Sequence, residues 1–434
     1  MGKGRVRWYW WVLALLPAVV GSTSLQLEIG DLRSSGFVSG VGVTIGILAV
    51  LLLVQGPWRG STGLKRLVLV LPVVMMGLIG IVGVALGLPE FFQKQFGWFL
   101  GPETYGARAV VVIDEGFVVV GDDLEDGVVW YSADGVNWSR ANDAELLGLE
   151  MRDAIVSDGE VVAFAQPSEG GEARVLTSVD GKTWLLRARF GNEQYGTSPN
   201  AIALWHDEFV GVTAIYGNDV EFFYGTSVAS WRSVEPSPVF DEGEDAVDVA
   251  CSRQVCVAVG ERYDPNAFMS SDTGAMVWTS TNGQRWDLVD HSMGIATLVA
   301  VAATDDAFVV VGNEEDHAVV WTSLNGRDWS QLDGQPFGSS QMDGVVDVDG
   351  GFVAFGRDTE TGALVVWKSE TGAEWKRSTV DEGLLPDSML RSVAANGETW
   401  VAVGIDTDLQ TAAIWVSDDG DSWERVPHDE AIFG

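Results

Sequence analysis

The chain is poor in the residues that usually build metal and redox centres, with two cysteines and four histidines among 434 residues. The histidines, His206, His291, His317 and His428, are scattered without metal-ligand spacing, and no second thiol pair accompanies Cys251 and Cys256. Zinc and thiol-redox chemistry are therefore set aside. Basic residues are also scarce: 26 Lys and Arg stand against 62 Asp and Glu, for a net charge of −36. Beyond residue 100 the imbalance deepens to 18 bases against 59 acids, about −41. A field of that sign repels phosphate backbones, so nucleic acid is excluded as a partner; it suits solubility and favours cations or basic partners. Missing as well are a Gly-x-Ser-x-Gly elbow, a phosphate-cradling glycine loop and a His-Glu-x-x-His motif, which leaves catalysis without a named residue.

Long apolar runs occur only near the start of the chain, at Trp8 to Gly21, Phe37 to Val54 and Leu67 to Leu88. The second and third, at ~1.5 Å rise per residue, reach roughly 27 and 33 Å and match a hydrocarbon core of about 30 Å. The first is shorter; it serves either as a third helix extended through Leu25 or as a cleaved signal, with Lys3, Arg5 and Arg7 before it. Those bases, and Arg59, Lys65 and Arg66 between the second and third runs, place both clusters in the cytoplasm by the positive-inside rule. Everything after Leu88 then emerges on the extracytoplasmic side of a multi-pass cell-membrane protein. Gly36 and Gly40, and Gly83 and Gly87, have a small-xxx-small spacing suited to helix packing against lipid-embedded neighbours. The expected organisation is a membrane region over 1–100, with helices about 8–25, 37–54 and 67–88 and a linker, followed by an extracytoplasmic domain over 101–434.

From residue 107 onward one pattern recurs: an apolar run, a polar turn, a second run such as Gly116 to Gly121, an acidic loop, and a third run closing on Trp. The closing residues are Trp138, Trp184, Trp231, Trp286, Trp329, Trp375 and Trp423, spaced 43 to 55 apart, which is the length of a four-stranded propeller blade. Runs of five to seven residues bounded by Gly, Asp and Asn are too short for helices and indicate strands. A second aromatic position, eight residues before each closing Trp, holds Trp130, Trp278, Trp321, Trp367 and Trp415, with Leu176 and Phe223 in the other units. The expected fold is an all-β seven-bladed β-propeller preceded by an N-terminal α-helical transmembrane region.

Between the third and fourth strands six units carry a Ser-initiated turn ending on Trp. Five hold Ser132, Asp134 and Gly135; Ser178, Asp180 and Gly181; Ser280, Asn282 and Gly283; Ser323, Asn325 and Gly326; and Ser417, Asp419 and Gly420. Asp-Gly and Asn-Gly point to two-residue type I′ hairpins. Here the chain resembles the Asp-box, or bacterial-neuraminidase-repeat, propellers of the sialidase-like superfamily, over residues 107 to 427. It departs from that pattern in having one residue fewer between Asp and Gly, Thr371 in the sixth unit, and no box in the third, which runs Gly225 to Trp231. The resemblance implies that the boxes are structural and lie away from the ligand face. It does not carry over an active site: no Arg-Ile-Pro signature precedes the first strand, and no Tyr nucleophile with a Glu base is assignable.

Cys251 and Cys256 flank a short loop between the first two strands of the fourth unit, the geometry of a structural disulfide in an exported domain. Loops after the second strands carry Asp122, Asp123, Glu125 and Asp126; Glu169 and Glu172; Glu261 and Asp264; Glu314, Glu315 and Asp316; Asp358 and Glu360; and Asp406 and Asp408. They make a solvated rim, with Ca²⁺ as the one cofactor such carboxylates would take. Counting back thirteen residues from Gly121, Ala165 and Gly404 reaches Arg108, Arg152 and Arg391 in consecutive blades 1, 2 and 7, with Asn200 and Asp343 at the same place in blades 3 and 6. The three arginines either pair with neighbouring acids or clamp an anion; sialidases use an arginine triad in the latter way. The leading expectation is a recognition or scaffolding propeller for a glycan, peptide or protein partner. A divergent sialidase-like glycoside hydrolase and an assembly partner of a membrane complex are the alternatives.

Overall fold

The computed structural model describes residues 106–433, except 124–125, 194–195, 216–218, 235–243, 263–273, 290–292, 295, 316, 333–335 and 379–387. The expected membrane helices lie outside the described residues. Among the described residues, no helix is long and apolar enough to cross a membrane.

The chain forms a seven-bladed propeller of four-stranded antiparallel sheets, each contiguous in sequence. Blade 1 contains β1 (Gly106–Ile113), β2 (Gly116–Asp122), β3 (Gly127–Ser132) and β4 (Ser139–Arg140). Blades 2 to 7 span 149–190, 197–233, 244–288, 297–331, 340–377 and 388–425. The first strand of each blade touches the first strand of the next, and β1 touches that of blade 7, so the first strands form a closed innermost ring.

Strands apolar on both faces need cover on both faces, and neighbouring blades supply it. β2 is buried along its whole length. Its Val118 and Val120 pack with Met151, Ala163, Leu176 and Trp184 of blade 2; Phe117 and Val119 pack with Val401, Val403 and Ile414 of blade 7. The five inner Trp residues, Leu176 and Phe223 are all buried. A short C-terminal helix, α1 (Glu430–Phe433), seals the closing junction: Trp130 Nε1 donates to the Ile432 carbonyl at 2.6 Å, and the Phe433 ring lies 6.3 Å from the Trp130 ring.

The Ser-to-Trp turns correct one expectation. They are not two-residue type I′ hairpins: β3 and β4 last pair at Tyr131 and Ser139, so the loop holds seven residues. Within it only the glycine has positive φ, +76° at Gly135. Side chains shape the loop instead. Ser132 Oγ accepts from Gly135 N at 2.9 Å, Asp134 Oδ1 accepts from Val136 N and Asn137 N at 2.9 and 2.7 Å, and Trp138 Nε1 donates to the Gly135 carbonyl at 2.7 Å. This is an Asx-type network that removes the need for left-handed backbone at the Asp. Backbone amides hold Asp134 at a pKa of about 2. In blade 6 Thr371 Oγ1 takes over part of the role, accepting from Ala373 N at 3.3 Å. The two-residue turn occurs in the unit without a box, where Ser227 pairs with Ser230 around Val228 and Ala229. Adjacent positive-φ residues do occur at Asp158-Gly159 and Asp349-Gly350, between the first and second strands of blades 2 and 6.

Five of the six turn glycines, all but Gly420, also press on the preceding blade. A Cβ on Gly181 would lie 2.6 Å from Val118, and one on Gly326 the same distance from Val257. The disulfide is formed: Cys251 and Cys256 are cross-strand partners with Sγ–Sγ 2.05 Å. A comparison of two glycines tests the wedge. Gly148 (φ +65°) has no atom within 4 Å of a built Cβ, so Gly148→Ala should carry only the backbone penalty of about 1–2 kcal/mol. Gly326→Ala adds displacement of Val257 and should lower the unfolding temperature further. Equal shifts in thermal unfolding would refute the wedge.

Candidate recognition site at the channel mouth

All seven innermost strands carry one β-bulge, at equivalent places. The register skips Arg108, Arg152, Asn200, Val247, Val299, Asp343 and Arg391. A bulge leaves one residue without a ladder partner and re-aims its side chain. On the second strand opposite, a carbonyl of the bulged strand leans in so far that five blades have glycine there; a Cβ on Gly121, Gly260, Gly312, Gly356 or Gly404 would meet it at 1.8 to 2.6 Å. Counting back from the second strand therefore found the arginines because the bulge is common to every blade.

The three arginines stand on bulges of consecutive blades, each beside acids. Arg108 Nε donates to Asp122 Oδ2 at 3.1 Å, and Arg152 donates to Glu150 at 2.6 Å. Arg357, which sequence reasoning missed, donates twice to Asp343 at 3.1 Å. Arg391 lies among these groups: burial lowers its pKa, Arg108 and Arg357 lower it further, and Asp343 and Asp122 oppose them. Burial raises the Asp122 and Asp343 carboxyls despite their guanidinium partners. Blades 6, 7, 1 and 2 thus contribute four guanidiniums and three carboxylates to one network. Blades 3 to 5 place Asn200, Val247 and Val299 at the same level, and blade 4 adds Asp245 and Glu261, both raised by burial. The mouth is cationic on one side and neutral to acidic on the other.

At and beside the bulges, polar side chains tie neighbouring blades together. Asp153 accepts from Ala154 N and, across the blade boundary, from Ile202 N at 2.9 Å; Asp248 accepts from Val249 N and Val301 N at 2.8 Å. Asn200 Nδ2 donates to the Ala246 carbonyl at 2.7 Å, Asn313 pairs with the Met342 backbone, and Val110 N donates to Ser392 Oγ at 3.4 Å. Burial pushes Asp153 up to about 6 against its two amide bonds, and Asp248 up to about 7, where Asp153 adds repulsion.

Part of the acidic rim is committed to local structure. Asp358 and Asp406 each accept two amides of their own loops, Asp406 also takes Arg425, and Asp123 pairs with Arg140. Glu125, Asp264 and Asp316 lie outside the described residues. Among the described residues no group of three or more His, Cys, Asp or Glu is arranged to hold a metal ion.

No family model and no curated protein sequence matches the chain. Among solved structures, a GH74 xyloglucanase from Xanthomonas campestris is similar over 73% of this chain and 54% of its own, at 14% identity and a TM-score of 0.51. The β-propeller domain of the Trilobed protease from Pyrococcus furiosus is similar over 76% of this chain and 99% of that one, at 9% identity and a TM-score of 0.51. The chain spans about half the length of the xyloglucanase. Both likenesses support the propeller fold.

The inner carboxyls set a pH dependence. Because their folded pKa values of about 6 and 7 lie above the ordinary 3.8, the stability they confer is present when protonated and is lost as pH rises from about 4 through 7. The unfolding temperature should fall between pH 5 and pH 8. In Asp153→Asn/Asp248→Asn that fall should shrink, over a lower baseline, since an amide has one acceptor oxygen for two N–H groups. An unchanged slope would contradict the assignment.

Proposed function

We propose that the chain is a membrane-anchored, extracytoplasmic recognition or scaffolding propeller that engages a glycan, peptide or protein partner at the channel mouth. The observation that carries this reading is the local reversal of charge: four guanidiniums against three carboxylates, on one side of a mouth in a chain of net charge −36. Arg108, Arg152 and Arg391 form its anion-binding edge. An acidic group on a partner takes a place among guanidiniums that are already held in position, so little ordering cost is added on binding. Asp245 and Glu261, on the far side, favour a partner that also carries a donor or a base.

The Ser-to-Trp turns are, in this reading, Asp-boxes with the structural role that the resemblance implies. Their serine and Asp, Asn or Thr side chains accept from amides of the same loop, and five of their six glycines face the preceding blade. The basic clusters at Lys3 to Arg7 and Arg59 to Arg66 support an outward-facing propeller, as does the Cys251–Cys256 disulfide, which an oxidising compartment favours. The hydrolase alternative is less well supported, because Asp122, Glu150 and Asp343 are each bonded to a guanidinium and Asp153 and Asp248 to backbone amides.

The test places a photo-crosslinking residue at Val299, in the mouth but outside the network, in the full chain in its own membrane. A discrete adduct is expected, weakened severalfold by Arg391→Lys, which keeps the charge and loses the planar fork. A control at Lys182, in a Ser-to-Trp turn, should give none. Equal labelling at the two positions, or an adduct indifferent to Arg391→Lys, would overturn recognition at the mouth.

A further inference from the structure

Blade 2 carries a feature that the other blades lack among the described residues. Its outermost strand, Leu185–Phe190, has six residues, whereas the outermost strands of blades 1, 4, 5, 6 and 7 have two and that of blade 3 has four. The extension continues pairing past a bulge at Arg187 to Arg174 opposite Arg189 and Ala173 opposite Phe190. Two guanidiniums directly across a strand pair repel each other, with Cβ atoms roughly 5 Å apart. Neither Arg174 nor Arg189 makes an ion pair or hydrogen bond among the described residues. Every other described arginine is partnered, including Arg187 in the same strand, which bonds Thr177 and Glu160.

The pair lines a groove of about 780 Å³ together with Glu169, Glu172 and exposed Leu147. Gly148, Gly170 and Gly171 also line it, and nothing lies within 4 Å of where their Cβ atoms would be, which leaves that wall of the groove uncrowded among the described residues. We propose that this groove binds a single carboxylate on a hydroxyl-rich sugar acid, with Arg174 and Arg189 gripping the carboxylate together. A bound anion relieves the repulsion between the two guanidiniums and supplies the bidentate partner that each lacks. The surrounding glutamates disfavour polyanions and accept from hydroxyls. Burial and Arg189 both push the Arg174 pKa down, which a bound anion would reverse. The site lies at the edge of blade 2 and does not depend on the role proposed for the mouth.

The test is isothermal titration of the full chain in detergent with glucuronate, and with glucose and inorganic sulfate as comparisons. Glucuronate should bind, more weakly as ionic strength rises, and glucose should not. Arg174→Ala and Arg189→Ala should each weaken binding at least tenfold while leaving the unliganded unfolding temperature unchanged or raised, because one member of a repelling pair is gone. Arg285→Ala, remote from the groove and paired with Asp287, should bind as the native chain does. Absence of glucuronate binding, binding indifferent to Arg174 and Arg189, or sulfate binding as tight as glucuronate would overturn the proposal. Binding lost in Arg391→Lys but kept in Arg189→Ala would place the ligand at the mouth, overturning the groove and leaving the mouth reading intact.

Discussion

The convergence of seven inner strands on one axis is the constraint on which the rest of this structure depends. Strands that meet there are crowded, and their backbones cannot all continue in regular register. Each yields at the same point with a bulge. That single irregularity, repeated seven times, turns one residue per blade out of the ladder and forces glycine opposite it in five blades. At and beside the bulges, Asp153, Asn200, Asp248, Asn313 and Ser392 tie one blade to the next through backbone groups. The carboxylates do so at the cost of burial, which is why Asp153 and Asp248 hold their protons to unusually high pH.

The two ends of the propeller have divided their work. At the turn end, serine with an aspartate, asparagine or threonine two residues on folds each loop onto itself, and glycines wedge five of the six against the preceding blade. At the mouth end the same backbone framework carries varied residues: arginine in blades 1, 2 and 7, aspartate in blade 6, asparagine in blade 3 and valine in blades 4 and 5. Similar residues at one end and varied residues at the other are compatible with the recognition face proposed at the mouth.

Much of this was legible in the sequence because it repeats. Seven closing Trp residues set the blade number, their inner companions marked the buried strand positions, and two cysteines flanking four residues gave the disulfide. The turn type was misjudged because Asp134 and its equivalents satisfy loop amides with side-chain oxygens, which relieves the backbone of the positive φ that Asp-Gly ordinarily signals. The partners of the arginines were hidden for another reason. Arg357 and Asp343 stand fourteen residues apart, and only the pairing of the first strand with the second brings them together. Arg174 and Arg189 face each other solely because the outer strand of blade 2 runs four residues longer than most of its counterparts. The fourteen-residue spacing recurs between Arg108 and Asp122, but with the charges exchanged, so no fixed residue pattern announces it.

The recognition role proposed for the mouth, toward an outside partner, needs the propeller on the extracytoplasmic side. The most direct measurement is protease protection of the full chain in intact cells, with an impermeant protease added outside and fragments detected through tags placed before residue 8 and after residue 434. The expected result is digestion of the C-terminal tag and the propeller, with the tag before residue 8, if retained, protected until the cells are opened. A propeller protected in intact cells and digested only after lysis would contradict the outward-facing role.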